Sequence, residues 1–78
     1  ERAEEIVRSF CPPNTQIRVR HHGAVARIET PPSALSLLAA PETAARLAPA
    51  VLALGFSFVT LDLSGYKMGS LNALFTDG

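Results

Sequence analysis

The sequence predicts an α+β fold, in which a small three-stranded, mainly antiparallel sheet of order 2-1-3 carries helices on one face. Three observations indicate this class: an alternating segment split by a glycine turn, a later alternating segment, and apolar residues at helical spacing around them. The elements are expected in the order helix, strand, strand, helix, helix, strand. The first strand is expected in the middle, antiparallel to both neighbours.

The segment from Ile17 to Glu29 has the pattern of a β-hairpin. Ile17 and Val19 alternate with arginines, and after Gly23 the alternation resumes with alanine and isoleucine on one face. Glycine provides the positive φ that a two-residue loop needs, so His22-Gly23 is the expected loop. This register places Val19 opposite Ala26, Ile17 opposite Ile28, and Arg18 opposite Arg27.

Helical periodicity precedes and follows the hairpin. Residues 1–10 predict an amphipathic helix that Pro12-Pro13 ends. After Pro31-Pro32, residues 34–40 predict a short helix capped by Thr30 or Ser33, and residues 41–54 a second helix that Pro49 should kink or divide. Residues 57–63 predict the third strand, and Leu71 and Leu74 a short helix capped by Ser70. The expected core consists of Ile6, Phe10, Val19, Ile28, Val59 and Leu61.

Length and charge restrict the possible functions. The 78 residues make one small domain, 1–78, and the helix-like start without methionine predicts a piece of a longer protein. Seven basic residues balance seven acidic ones, so no general nucleic-acid or acidic-membrane footprint is expected, and no apolar run reaches membrane-spanning length. The single cysteine excludes an internal disulfide and fits a reducing compartment.

The polar side of the hairpin is the first candidate site. It gathers Arg18, Arg20 and Arg27, with Glu29 as their acidic partner. A planar guanidinium fork matches phosphate or carboxylate, so the cluster predicts a local anion site. The alternative is a solvated face on which Arg18 and Glu29 pair diagonally.

Three other features are weaker candidates. His21 and His22 point to opposite faces of a strand, which favours turn histidines over metal ligands. Cys11 has no cation beside it in sequence to lower its pKa, which favours a structural cysteine. The segment from Gly65 to Ser70 is no Walker loop, but it could form an amide nest with Lys67 or an ordinary glycine-rich exit from a strand. No catalytic set is visible, and no metal ligand or catalytic residue is assigned.

These residues carry a family resemblance. It rests on Arg18-Val19-Arg20-His21-His22-Gly23, Ala26-Arg27-Ile28-Glu29, Val59-Thr60-Leu61-Asp62-Leu63, Gly65-Tyr66 and Gly69-Ser70-Leu71-Asn72. Together they resemble the C-terminal region of the ATP-dependent sacrificial sulfur transferases, which belong to the pyrophosphatase-loop, adenine-nucleotide alpha-hydrolase group. That family adenylates a carboxylate of a pyridinium mononucleotide and gives it sulfur from its own cysteine, in nickel-pincer nucleotide cofactor biosynthesis.

The resemblance implies roles for several residues. Arg18, Arg20 and Glu29 match residues at the substrate or phosphate site, Glu4 matches a further acidic residue, and Lys67 stands where the family has arginine. With Arg27 and the neighbouring Ser70, these complete the expected substrate or phosphate site. Lysine keeps the charge but loses the bidentate fork. Cys11 does not match the family's sulfur-donating cysteine, and Pro12-Pro13 resembles a local insertion.

The resemblance also implies what this chain lacks. The ATP-phosphate loop and the sacrificial-cysteine segment are absent from the sequence, so no cofactor is expected here, while ATP and magnesium belong to the parent enzyme. The expected partners are the N-terminal ATP-binding domain, a phosphate-bearing nucleotide and further copies in a cytoplasmic homo-oligomer. The alternatives are a free-standing protein-interaction module and a non-catalytic small-anion-binding domain.

Overall fold

The computed structural model describes residues 2–65 and has an α+β architecture, as predicted. Three helices and three strands follow one another in the expected order. They are α1 (Arg2–Arg8), β1 (Arg18–His22), β2 (Val25–Glu29), α2 (Pro32–Ala39), α3 (Pro41–Leu52) and β3 (Phe58–Leu61).

The strand order is β1-β2-β3, so the predicted order 2-1-3 is wrong. The central strand is β2, which is antiparallel to β1 and parallel to β3. The two helices between β2 and β3 form the crossover that a parallel connection requires. Both edges of β2 are therefore paired, whereas β1 keeps one outer edge.

The hairpin register also differs from the prediction. His22 pairs with Val25, so the loop is Gly23-Ala24, and Val19 lies opposite Ile28. Gly23 has φ +60° and is the first loop residue, the position at which a type II′ hairpin turn favours glycine. Relative to the prediction, each β1 residue meets a partner two positions further along β2. A shift of two residues leaves every side chain on its predicted face.

The helices α1 to α3 pack against the apolar face of the sheet. The buried core is made of alternate strand residues and one stripe from each helix. Its members are Ala3, Val7, Ile17, Val19, Ala26, Ile28, Leu38, Leu47 and Val51. Of the predicted core, Val19 and Ile28 are buried, while Ile6, Phe10, Val59 and Leu61 are partly buried and pack against the same cluster.

The helix boundaries follow proline and glycine. Helix α2 begins at Pro32, its N-cap residue is Pro31, and no side chain caps it. The predicted cap by Thr30 or Ser33 is therefore wrong. Helix α3 runs through Pro49 without division, and Gly55 follows it with φ +115° as the predicted stop. None of the helices within residues 2–65 is long and apolar enough to cross a membrane. The predicted helix at Ser70, Leu71 and Leu74 lies outside the described residues.

Candidate functional site

The face of the sheet opposite the helices carries the predicted cationic cluster. We call it the arginine face and define it by alternate residues of the three strands. These are Arg18, Arg20 and His22 of β1, Val25, Arg27 and Glu29 of β2, and Phe58 and Thr60 of β3, with Asp62 just beyond β3. The residue pairs form rows across the strands, so the register alone brings together side chains that are distant in sequence.

Glu29 organises the centre of the arginine face. Its Oε2 lies 2.9 Å from Arg27 Nη2, and its Oε1 lies 3.5 Å from Arg20 Nε. Arg27 Nη1 is also 3.6 Å from Asp62 Oδ2. Because Arg20 and Arg27 are directly opposite one another, the carboxylate between them offsets the repulsion of two like charges. The result is an ordered array of alternating charge.

The true register changes which charges face each other. Arg18 lies opposite Glu29, whereas the sequence placed Arg18 opposite Arg27. The sequence predicted that Arg18 and Glu29 pair diagonally across the hairpin. In the structure they lie directly opposite one another on β1 and β2. Arg20, and not Arg18, lies opposite Arg27. One face of the sheet carries the expected set of Arg18, Arg20, Arg27 and Glu29. However, the residues that lie opposite one another differ from the predicted pairs.

The arginines differ in how strongly the protein holds them. Arg27 forms ion pairs with two carboxylates, and its Nε is buried without a hydrogen-bond partner among the described residues. Arg20 pairs with Glu29 through Nε, and its side chain remains 45% exposed. The Arg27 side chain is 39% exposed, so an anion approaching this face can reach the guanidinium groups of both Arg20 and Arg27.

Glu4 lies at another place, on α1 beside the outer edge of β1. Its Oε2 accepts a hydrogen bond from the backbone N–H of Val19 at 3.3 Å, and its Oε1 lies 3.7 Å from Arg8 Nη2. Since β1 has β2 on only one side, Glu4 satisfies a backbone donor at an edge that would otherwise face solvent. The contact also holds the backbone between Arg18 and Arg20.

Lys67 and Ser70 lie outside the described residues, but the loop that leads to them is anchored. Gly65 is buried with φ +80°, and a Cβ added there would lie 2.8 Å from the carbonyl oxygen of Thr30. Thr30 directly follows β2 and is fully buried. The chain therefore leaves β3 at the end of the sheet that carries Glu29.

Sequence reasoning did not assign Phe58 to the candidate site. Phe58 pairs with Val25 on the arginine face, and 63% of its surface is exposed. The alternation of β3 could have placed it on the polar side of its strand. However, only the parallel pairing of β2 with β3 puts that side next to the arginines.

The histidines and the cysteine have separate surroundings. His21 stacks edge-on against Phe56 with ring centroids 5.0 Å apart, whereas His22 lies on the arginine face. Cys11 is half-buried against the core, and burial raises the pKa of its thiol. The part of the chain from 2 to 65 contains no group of three or more histidine, cysteine or acidic side chains arranged to hold a metal.

The helical side has an apolar groove along β3. It encloses about 200 Å³ between Val59 and Leu61 of β3 and the facing ends of α2 and α3. Its walls contain Leu38 and Leu47. Ile28 of the central strand and Thr60 of β3 also line it.

Comparison with known proteins shows two partial similarities. The chain is 39% identical over 61 residues to an uncharacterised protein of Synechocystis, covering 78% of this chain and 23% of that protein. It is 36% identical over 74 residues to the pyridinium-3,5-bisthiocarboxylic acid mononucleotide synthase of Lactiplantibacillus plantarum, covering 95% of this chain and 25% of that protein. No protein-family model matches the chain. The chain thus spans about a quarter of the length of these relatives, and it is similar along most of its own length to part of a mononucleotide synthase.

Proposed function

We propose that this chain is the anion-binding and assembly domain of an ATP-dependent sulfur transferase. The enzyme activates a carboxylate of a pyridinium mononucleotide and transfers cysteine sulfur to it, in nickel-pincer cofactor biosynthesis. The observation that carries the proposal is the arginine face, which presents a half-exposed Arg20 beside the Glu29–Arg27–Asp62 array. The similarity to the mononucleotide synthase supports the same conclusion.

The arrangement of charge suits a phosphate monoester. Glu29 and Asp62 hold Arg27 in place, so Arg27 contributes a fixed positive charge. Arg20 forms an ion pair with Glu29 through Nε, and its terminal amino groups can donate planar hydrogen bonds to phosphate oxygens. Arg18 lies in the next row of the same face and adds a further guanidinium near the Glu29 end.

The rest of the reaction belongs to the remaining polypeptide of the parent enzyme. There, an ATP-phosphate loop binds ATP and magnesium, and a sacrificial cysteine supplies the sulfur. In this division of labour Cys11 is not the sulfur donor, because its sequence context does not match that of the family's sulfur-donating cysteine. The parent enzyme is a cytoplasmic homo-oligomer, and this domain contributes contacts between copies.

Affinity measurements on arginine variants test the proposal. A pyridinium carboxylate mononucleotide is titrated into the wild type, Arg20→Ala, Arg18→Ala and Arg20→Lys at the same ionic strength. Loss of one charge-assisted hydrogen bond, about 1.5–3 kcal/mol, should weaken binding by about tenfold to a hundredfold in either alanine variant. The lysine variant should be impaired as well, because lysine cannot form the bidentate contact.

Arg46→Ala is the matched control. Arg46 is an exposed arginine on α3, where its guanidinium lies 5.9 Å from the ring of Phe10, so its removal deletes the same charge from the helical side. This variant should keep wild-type affinity. Unchanged affinity in both Arg18→Ala and Arg20→Ala would contradict the anion site and favour a solvated or protein-binding face.

A further inference from the structure

We infer that Phe58 is the residue against which the aromatic ring of the mononucleotide lies, so that the arginine face binds phosphate and ring together. This inference rests on the proposed function and adds a residue that determines ligand specificity. Phe58 is a large aromatic side chain on a charged face, with 63% of its surface exposed. Burying such a ring against another ring is favourable, so its exposure indicates an unused contact surface.

The backbone fixes Phe58 relative to the arginines. The carbonyl oxygen of Ala24 accepts hydrogen bonds from the N–H groups of Ser57 at 2.7 Å and Phe58 at 3.2 Å. These bonds tie the start of β3 to the hairpin turn. Phe58 is therefore directly beside Val25, and the next row on this face contains Arg20, Arg27 and Thr60.

The spacing of these rows suits one nucleotide. Residues two apart on a strand are separated by about 6.6 Å, and neighbouring strands by about 4.8 Å. Phe58 is thus one strand repeat along and one strand across from Arg27, about 8 Å between Cα positions, and Arg20 lies one strand further across the same open surface. A single ribose can bridge this gap, with its phosphate at the arginines and its ring over Phe58.

A pyridinium ring fits this position better than an uncharged group. The face of a phenylalanine ring attracts a cation, and stacking adds dispersion. Repulsion from the nearby guanidiniums is reduced because Glu29 and Asp62 already pair with Arg27. The Phe58 end of the face can therefore accept a cationic ring, while the Arg20 end accepts the phosphate.

Two ligands separate the ring contact from the phosphate contact. Calorimetric titrations compare ribose 5-phosphate with a pyridinium carboxylate mononucleotide, which differs mainly by the ring. Phe58→Ser should weaken binding of the mononucleotide by about threefold to tenfold and leave ribose 5-phosphate unchanged, because only the ring contact is lost. Phe58→Trp should bind the mononucleotide with about the wild-type affinity, because tryptophan also provides an aromatic ring.

Leu63→Ser is the control, since Leu63 is an apolar residue that is 87% exposed and follows the same strand. It should not change either affinity. Arg20→Ala should weaken the binding of both ligands. This variant therefore tests the phosphate site of the proposed function separately from the ring contact. If Phe58→Ser changes neither affinity while Arg20→Ala weakens both, the ring contact is wrong and the anion site stands. If Arg18→Ala and Arg20→Ala both leave the two affinities unchanged, or neither ligand binds the wild type, the proposed function and this inference both fail.

Discussion

The two faces of the sheet share the same strands but have opposite environments. On the helical face, Ala26 and Ile28 are fully buried, and Val19 is 6% exposed. On the arginine face, Arg20 keeps 45% of its side chain exposed and Phe58 keeps 63% of its surface exposed. The difference arises because successive residues of a strand point to opposite sides.

This comparison separates residues that stabilise the fold from residues available to a ligand. Burial of apolar surface on the helical face supplies the main folding energy. The arginine face contributes ion pairs that solvent partly screens, so substitutions there should affect binding more than stability. A parallel pair such as β2 and β3 is usually covered on both faces, which is consistent with a ligand or neighbouring domain on the open side.

The largest expected effect is on the helical face of β2. Ile28→Ala should reduce the free energy of unfolding by about 2–5 kcal/mol, because it removes buried methyl groups and leaves a cavity. Val25→Ala, on the other face of the same strand, should cost less than about 1 kcal/mol. Urea denaturation of both variants measures the difference, and equal losses would contradict the separation of the two faces.

The next effect concerns the loop after β3. Gly65→Ala should destabilise the chain by about 1–3 kcal/mol, because alanine is strained at φ +80° and its Cβ would meet the Thr30 carbonyl oxygen. Gly23→Ala is the control: it has φ +60° but no atom within 4 Å of the added Cβ, so only the strain applies. Thermal melting should therefore show a larger shift for Gly65→Ala. Similar shifts would mean that the close approach to Thr30 does not matter.

A smaller effect is expected at the centre of the arginine face. Glu29→Gln should cost about 1 kcal/mol, since Arg20 and Arg27 would then oppose each other without a carboxylate between them. The loss should decrease in high salt, which screens like charges. Melting temperatures at low and high ionic strength test this, with the exposed Glu42→Gln as control. A loss independent of salt would indicate packing rather than charge.

The smallest effect is expected at Cys11. Because burial raises the pKa of its thiol, less thiolate is present at neutral pH than for a free cysteine. Iodoacetamide should therefore modify the folded chain more slowly than the urea-unfolded chain, and the rate should rise at alkaline pH. In the parent enzyme, Cys11→Ala should leave sulfur transfer intact. Fast modification of the folded chain, or loss of sulfur transfer with the fold preserved, would contradict this interpretation.

The local sequence pattern was sufficient to predict the helices and strands and the face of the sheet on which each strand residue lies. Alternation assigned Arg18, Arg20, Arg27 and Glu29 to one face and Val19 and Ile28 to the other, and a shift of two residues could not change this assignment. Proline and glycine marked the helix boundaries, with Gly55 in the turn that follows the end of α3 at Leu52. These properties depend on neighbouring residues, so the sequence contains them directly.

Pairing between distant segments was decided only by the folded chain. The turn geometry of Gly23 selected the loop Gly23-Ala24, and the crossover through α2 and α3 placed β3 beside β2 instead of β1. This arrangement brings Asp62 to Arg27 and Phe58 to the open end of the arginine face. Periodicity reports which side of a strand is apolar, but it carries no information about which strand lies next to it. Strand order therefore depended on how the helices and the sheet bury their apolar faces together, a property of the whole domain.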